Sequence, residues 1–181
     1  MQDGFWVFGY GSLIWRTGFP YRSRKLATLL GYRRSFCMES HHYRGTPEAP
    51  GLVLALDPLP GASCRGLAFH VDPGNARDVM SYLRGRELVS DAYCEVVREI
   101  TFDEGGRDEA VCYVINQAHH QYVGEMSLLD KAAMIMRSSG TAGANTEYLF
   151  NTFNSLHELG IEDAELDELV ELVRELRLPR S

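Results

Sequence analysis

One carboxylate stands out by its place in a repeating pattern. Ala76, Val79, Met80 and Leu83 recur at the three- and four-residue spacing of an amphipathic helix, and Glu87 falls on the same face, four residues beyond Leu83. An inward-facing carboxylate on the last turn of a helix is disfavoured as an anion by burial and again by the terminal carbonyls of the helix. Both effects raise its proton affinity toward the range of a general base. The pattern also admits a second reading, in which Glu87 lies just past the helix end and pairs with Arg84 or Arg86.

A second chemistry-bearing stretch lies near the start: Val7-Phe8-Gly9-Tyr10-Gly11-Ser12-Leu13-Ile14-Trp15. An apolar run is interrupted by two glycines and a serine before it resumes. Glycine lets the backbone turn at a strand end and lets a ligand approach closely. The consecutive amides of Gly11, Ser12 and Leu13 could form a nest for a carboxylate, or the stretch could be a plain structural turn. It is not a GxxxxGK[ST] phosphate loop. With Ile14 where a glycine would be needed, it is neither GxGxxG nor the GxSxG elbow of a serine nucleophile. No histidine is placed beside Ser12 by a triad signature, so Ser12 reads as part of a binding turn.

Strand-like segments fill the first two thirds of the chain. Phe5 to Tyr10 reads as a short strand, and Ala27 to Glu39 as a longer strand-rich segment. Gly51 to Leu56 and Arg65 to Val71 flank Asp57-Pro58-Leu59-Pro60-Gly61, which predicts a hairpin. Tyr93 to Phe102 and Ala110 to Ile115 flank Asp103-Glu104-Gly105-Gly106 and predict another. Between the two hairpins, Asp72 is placed to cap a helix that starts at Pro73 and runs to about Glu87.

The last third reads as helical. Ser127 with Asp130 resembles a capping box before Lys131 to Arg137. Asn145 or Thr146 is placed to cap a helix to about Leu159, stopped by Gly160. Asp163 to Leu176 carries Leu166, Leu169, Val170, Val173 and Leu176 on one stripe, expected to pack against the sheet. Strands first and helices last predict an α+β fold, and residues 1–181 fit a single domain.

Bulk properties narrow the function. A net charge of −7 argues against nucleic acid as partner, because phosphate binding needs a basic face. No apolar run approaches the ~18 residues of a membrane span. The segment MQDGFWVFGYGS lacks the basic and apolar regions of a secretory signal, which leads to the expectation of a cytoplasmic protein. Cysteines at 37, 64, 94 and 112 form no CxxC pair and read as reduced, mostly buried thiols. Neighbours such as His41-His42 and His119-His120 point to opposite sides of a strand and so chelate one ion poorly, and no HExxH is present; no metal site is expected.

Taken in order, VFGYGSLIW, Phe19-Pro20-Tyr21, Tyr32-Arg33-Arg34 with Phe36, His42-Tyr43-Arg44-Gly45-Thr46-Pro47, Tyr82-Leu83 with Arg86-Glu87, and Asn145-Thr146-Glu147-Tyr148-Leu149 resemble the ChaC family of glutathione-specific γ-glutamylcyclotransferases. The match runs from about residue 5 to about residue 155. The resemblance implies a γ-glutamylcyclotransferase-like fold, a strongly bent β-barrel with flanking helices. It implies a substrate-binding loop over Gly9, Tyr10, Gly11, Ser12, Leu13 and Ile14, with Glu87 as catalytic acid/base. It places Tyr148 along the site and gives Arg44 a supporting role. It also implies a lyase that acts on glutathione and needs neither metal nor organic cofactor. One departure concerns the wall next to the base. Many relatives have a short Gly-Gly turn and a tyrosine soon after Arg-Glu, whereas here Leu88-Val89-Ser90-Asp91-Ala92 precede Tyr93, as in a longer bacterial-type version.

The implied reaction is intramolecular. Glu87 takes a proton from the α-ammonium group of the substrate, and the freed amine attacks its own γ-carbonyl. The ring closes to 5-oxoproline and Cys-Gly leaves. Two other readings follow from the same residues. One is a cyclotransferase for a different γ-glutamyl compound, such as a γ-glutamyl amine. The other is a non-catalytic regulator of cation transport, which would need neither Glu87 nor the glycine loop.

Overall fold

A computed structural model describes residues 3–177. The chain forms two compact units, one of residues up to Arg34 with Leu56–His119, the other of Ser35–Ala55 with residues from His120 onward. Five strands, β1 (Phe5–Gly9), β2 (Ser23–Ser40), β3 (Gly51–Val71), β4 (Tyr93–Phe102) and β5 (Arg107–Ile115), close a barrel in the order β1-β3-β2-β4-β5. With its helices the protein is of the α+β class, as its sequence predicts.

Within the first unit, β1 runs antiparallel to β3 from Phe5↔Val71 to Gly9↔Leu67, and parallel to β5 at Trp6↔Ala110 and Val7↔Val111. The expected hairpin of β4 and β5 forms, from Tyr93↔Ile115 to Thr101↔Arg107. Its turn uses Gly105 at φ 97° and Gly106 at φ 91°, a region that only glycine enters without strain. The other expected hairpin does not form. Asp57-Pro58-Leu59-Pro60-Gly61 lies inside the single strand β3, and Gly61 at φ 85° lets that strand bend rather than reverse. A 3-10 turn, Pro73–Asn75, leads into helix α2 (Ala76–Glu87), but the Asp72 side chain makes no capping hydrogen bond. Val7, Phe8, Leu67, Phe69, Val79, Leu83, Ile100 and Cys112 are buried here. Burial pushes the Cys112 thiol up to about 12, so it is an inert core group. Cys37 and Cys64 are buried as well, and Cys94 is exposed.

In the second unit, helix α3 (Leu128–Arg137) is capped as expected. The Ser127 hydroxyl accepts from the Asp130 amide at 3.1 Å. A two-stranded ribbon follows, β6 (Ser139–Gly140) and β7 (Gly143–Ala144). Helix α4 (Asn145–Glu158) has neither predicted cap. The Asn145 side chain instead bonds both backbone groups of Leu52, accepting at 2.7 Å and donating at 2.9 Å. Gly160 at φ 65° ends α4, and the Ile161 amide reaches back to the Leu156 carbonyl. Helix α5 (Ala164–Arg177) buries Leu166, Leu169, Val170 and Val173. This stripe was expected to pack against the sheet, and the helix lies against α3 and α4. Glu165 accepts from Lys131 Nζ at 2.7 Å, from the Ser35 hydroxyl at 3.1 Å and from the Phe36 amide at 3.0 Å.

Two glycines of the first unit make opposite forecasts. A Cβ on Gly66 would lie 2.4 Å from the Gly9 carbonyl oxygen and 2.9 Å from the Phe8 ring. Gly66→Ala should therefore lose about 1–3 kcal/mol, the range for overpacking. Gly85, inside α2, has nothing within 4 Å of such a Cβ. Gly85→Ala should gain about 0.5–1 kcal/mol through helix propensity. Urea unfolding midpoints check both, and a Gly66→Ala midpoint at the wild-type value would contradict the close β1–β3 packing.

Candidate active site

Glu87 is the last residue of α2, and the helix is docked by Val79 and Leu83. The Glu87 side chain is only 15% exposed, and burial holds its carboxyl above the ordinary carboxylate range. The Arg86 guanidinium opposes this, with Nε 3.2 Å from Glu87 Oε1. The two readings of the sequence thus meet in one residue, because Glu87 closes the helix and also pairs with Arg86. Arg84 is engaged elsewhere, in a two-pronged pair with Glu95 at 2.9 and 2.7 Å. The Tyr113 hydroxyl donates to Glu95 at 3.2 Å. Burial, the Glu95 charge and the nearby Glu87 all keep that phenol protonated.

The glycine loop begins where β1 ends. A Cβ on Gly9 would lie 2.9 Å from the Phe69 ring, so glycine is required there for packing. Tyr10 is buried, and its carbonyl accepts from Arg34 Nε at 2.6 Å. In a trans peptide the carbonyl and the following N–H point in opposite directions. Arg34 therefore turns the Gly11 N–H away from itself. Gly11 is followed by a short helix, α1 (Ser12–Trp15), which the sequence reading did not anticipate. The Ser12 and Leu13 amides belong to its first turn, where a helix supplies no acceptor. Leu13 and Ile14 are buried and anchor the turn. Ser12 Oγ accepts from Arg86 Nη2 at 2.9 Å, so its hydroxyl is used as an anchor.

Arg44 and Tyr148 belong to the second unit and meet there. The Arg44 guanidinium carbon lies 5.7 Å from the centre of the Tyr148 ring. Arg44 also donates to the Ala144 carbonyl at 3.1 Å and pairs with Glu147 at 3.5 Å. The Tyr148 hydroxyl accepts from the Leu54 amide at 3.3 Å, and its ring meets Phe36 edge-on. The turn bearing Arg44 is fixed by the β6–β7 ribbon, where the Thr141 and Ala142 amides donate to the His42 and Tyr43 carbonyls.

Arg34 and Tyr113 of the first unit were not singled out in the sequence beside these residues, and Arg86 was named there only as a partner of Glu87. Arg34 had one available signal, since alternation along β2 sends Arg33 and Arg34 to opposite faces and only one can reach solvent. Arg33 is part-exposed and pairs with Asp57, and Arg34 is buried. Tyr113 carried no signal beyond its strand. Among the described residues no cluster of three histidine, cysteine or acidic side chains is placed to hold a metal ion. His41 instead lies 2.8 Å from Glu39.

The chain has clear relatives among known proteins. The model of the ChaC-like protein family matches residues 5–176. Gamma-glutamylcyclotransferase 2-3 of Arabidopsis thaliana is 33% identical, covering 94% of this chain and 89% of that protein. The glutathione-specific gamma-glutamylcyclotransferase of Schizosaccharomyces pombe is 32% identical over 97% of this chain and 94% of its own. A crystal structure of the yeast gamma-glutamylcyclotransferase specific to glutathione has the same fold, with a TM-score of 0.89, 24% identity and coverage of 98% and 99% of the two chains. A family match that takes in the barrel strands, the glycine loop, Glu87 and the C-terminal helices alike makes this chain a member of the ChaC-like family.

Proposed function

We propose that this protein is a γ-glutamylcyclotransferase that converts glutathione to 5-oxoproline and Cys-Gly. The observation that carries the reading is Glu87, a buried carboxylate of raised proton affinity that shares Arg86 with the glycine loop. The relatives' names supply the substrate. Glutathione presents a free α-carboxylate, an α-ammonium group and a γ-carbonyl on one flexible chain. The amides of Gly11, Ser12 and Leu13 hold the carboxylate, which folds the chain so that nitrogen and carbonyl meet. Glu87 accepts the ammonium proton and the amine attacks the γ-carbonyl, after which the ring nitrogen gives its second proton to solvent. As the tetrahedral intermediate collapses, Glu87 returns its proton to the departing Cys-Gly nitrogen, which leaves as an amine. One C–N bond forms, one breaks, and no water is consumed.

Tyr148 is assigned to substrate contact with Arg44 supporting it, and their mutual contact in the second unit suits a pair that acts together. None of the four cysteines is in a disulfide, which suits a reducing compartment, and we place the protein in the cytoplasm on that ground. No described helix is long and apolar enough to cross a membrane.

Glu87→Gln keeps the shape of the side chain and removes the base. Turnover of glutathione, read as 5-oxoproline, should fall by at least ~10²-fold. Stability should move the other way, with a pH dependence of fixed sign. The folded state binds the Glu87 proton more tightly than the unfolded chain, so ionisation destabilises the fold as pH rises above the unfolded value of about 4.3. The Gln variant should therefore melt higher than wild type near neutral pH, and the gap should close in acid. Calorimetry across pH measures it, and a gap that widens in acid would reverse the assignment.

Substrate form tests the mechanism itself. Because the nucleophile is the substrate's own amine, N-acetylated glutathione should not be turned over. The acyl product should be 5-oxoproline without label from heavy-oxygen water. Labelled glutamate would mean that Glu87 activates water, and the cyclotransferase reading would be wrong. A panel of γ-glutamyl compounds separates glutathione from a γ-glutamyl amine as preferred substrate.

A further inference from the structure

We infer that Arg86 is a positioning residue whose guanidinium holds α1 and the Glu87 carboxylate in one frame, and so sets the place of the base relative to the loop. The inference rests on the reading of Glu87 as the base. Each nitrogen of the guanidinium faces a different partner. Nη2 donates to Ser12 Oγ at 2.9 Å, on the first residue of α1. Nη1 donates to the Arg16 carbonyl at 2.6 Å, just past the end of α1, and to the Tyr82 hydroxyl at 3.0 Å. Nε lies 3.2 Å from Glu87 Oε1. The side chain is 17% exposed; its bond to Ser12 Oγ is part-buried, and those to the Arg16 carbonyl and the Tyr82 hydroxyl lie at the surface.

The physical need for such a clamp is plain from α1. A helix of four residues is far too short to hold itself; the Arg16 amide and the Thr17 hydroxyl serve its Ser12 and Leu13 carbonyls, and the rest of its support must come from outside. Arg86 satisfies the Arg16 carbonyl and fixes the Ser12 end at the same time. The chain beyond α1 is seated on α2 by a second contact, since a Cβ on Gly18 would lie 1.9 Å from the Tyr82 hydroxyl. A planar guanidinium can serve a hydroxyl, a carbonyl and a carboxylate at fixed angles, whereas a lysine ammonium is a single point charge that cannot reach all three.

Charge and shape can be separated by two variants. Arg86→Lys keeps the cation and loses the fork; Arg86→Gln loses both. The charged or titratable groups that face the Glu87 carboxylate are Arg86, on its own helix, and the Tyr113 phenol of β5, which stays protonated. Glu95 of β4 is committed to Arg84 and Tyr113, and α1 (Ser-Leu-Ile-Trp) carries no titrating group.

The experiment follows Glu87 directly, by NMR of side-chain-labelled glutamate against pH, beside pH profiles of kcat/KM for glutathione and hydrogen exchange of the α1 amides. In Arg86→Lys the Glu87 titration should stay close to wild type, kcat/KM should fall roughly 10- to 100-fold, and the α1 amides should exchange faster. In Arg86→Gln the titration should move to higher pH, and the acid limb of kcat/KM should move with it. A residue that only stabilised the fold would lower the melting temperature of both variants and leave the Glu87 titration, the acid limb and kcat/KM of the folded protein at wild-type values. That result would overturn the proposal. Should Arg86→Gln fail to fold, Arg86→Lys still decides, through α1 exchange and kcat/KM. A wild type that turns over no glutathione would sink the proposed activity, while NMR and exchange would still decide whether Arg86 couples α1 to Glu87.

Discussion

The proposed chemistry depends on the desolvation of one carboxylate. Taking Glu87 out of water raises its proton affinity, the direction that a general base requires. Full burial without a partner would keep the group protonated and useless as a base. Arg86, 3.2 Å away, opposes the shift. Val79 and Leu83 seat α2, and the Arg84–Glu95–Tyr113 set occupies the neighbouring polar groups.

In the proposed mechanism the glycine loop meets a different problem, how to present backbone donors from a segment with little internal stability. Its four-residue helix is held from three sides. Leu13 and Ile14 are buried beneath it, Arg34 grips the Tyr10 carbonyl ahead of it, and Arg86 grips Ser12 and Arg16 at its two ends. Both arginines act on the backbone or on a hydroxyl, so the amides between them are oriented without being consumed. The Ser12 hydroxyl, the obvious nucleophile by residue type, is one of the anchoring points.

Much of this was legible in the sequence, and the exceptions share a cause. Spacing along α2 placed Glu87 on the core face, turn glycines gave the β4–β5 hairpin, and Ser127 gave the cap of α3. The β3 segment was misread because Pro58, Pro60 and Gly61 have the composition of a turn, although a barrel strand can use the same residues to bend. Asn145 has the right residue type for a helix cap but is taken by Leu52, a partner 93 residues away. Asp72 likewise follows the capping pattern without making the bond. Arg34 and Arg86 acquire their roles only when Tyr10 and Ser12 arrive from distant positions. Local pattern reports periodicity and turn chemistry; it does not report which long-range partner a polar side chain will find.

An intramolecular reaction explains why so few groups suffice. Nucleophile and electrophile already share one molecule, so the protein need not bind and orient a second reactant or activate water. Folding the substrate supplies the proximity that a bimolecular reaction would have to gain by capture. What remains is to hold one end, which backbone amides can do for a carboxylate, and to move one proton in and out, which one carboxyl can do if its proton affinity lies near the ambient pH. Precision is then concentrated in the distance between the amides and the carboxyl. That distance spans two elements, α1 and the end of α2, and Arg86 bonds to Ser12 on the one and lies 3.2 Å from the Glu87 carboxylate on the other.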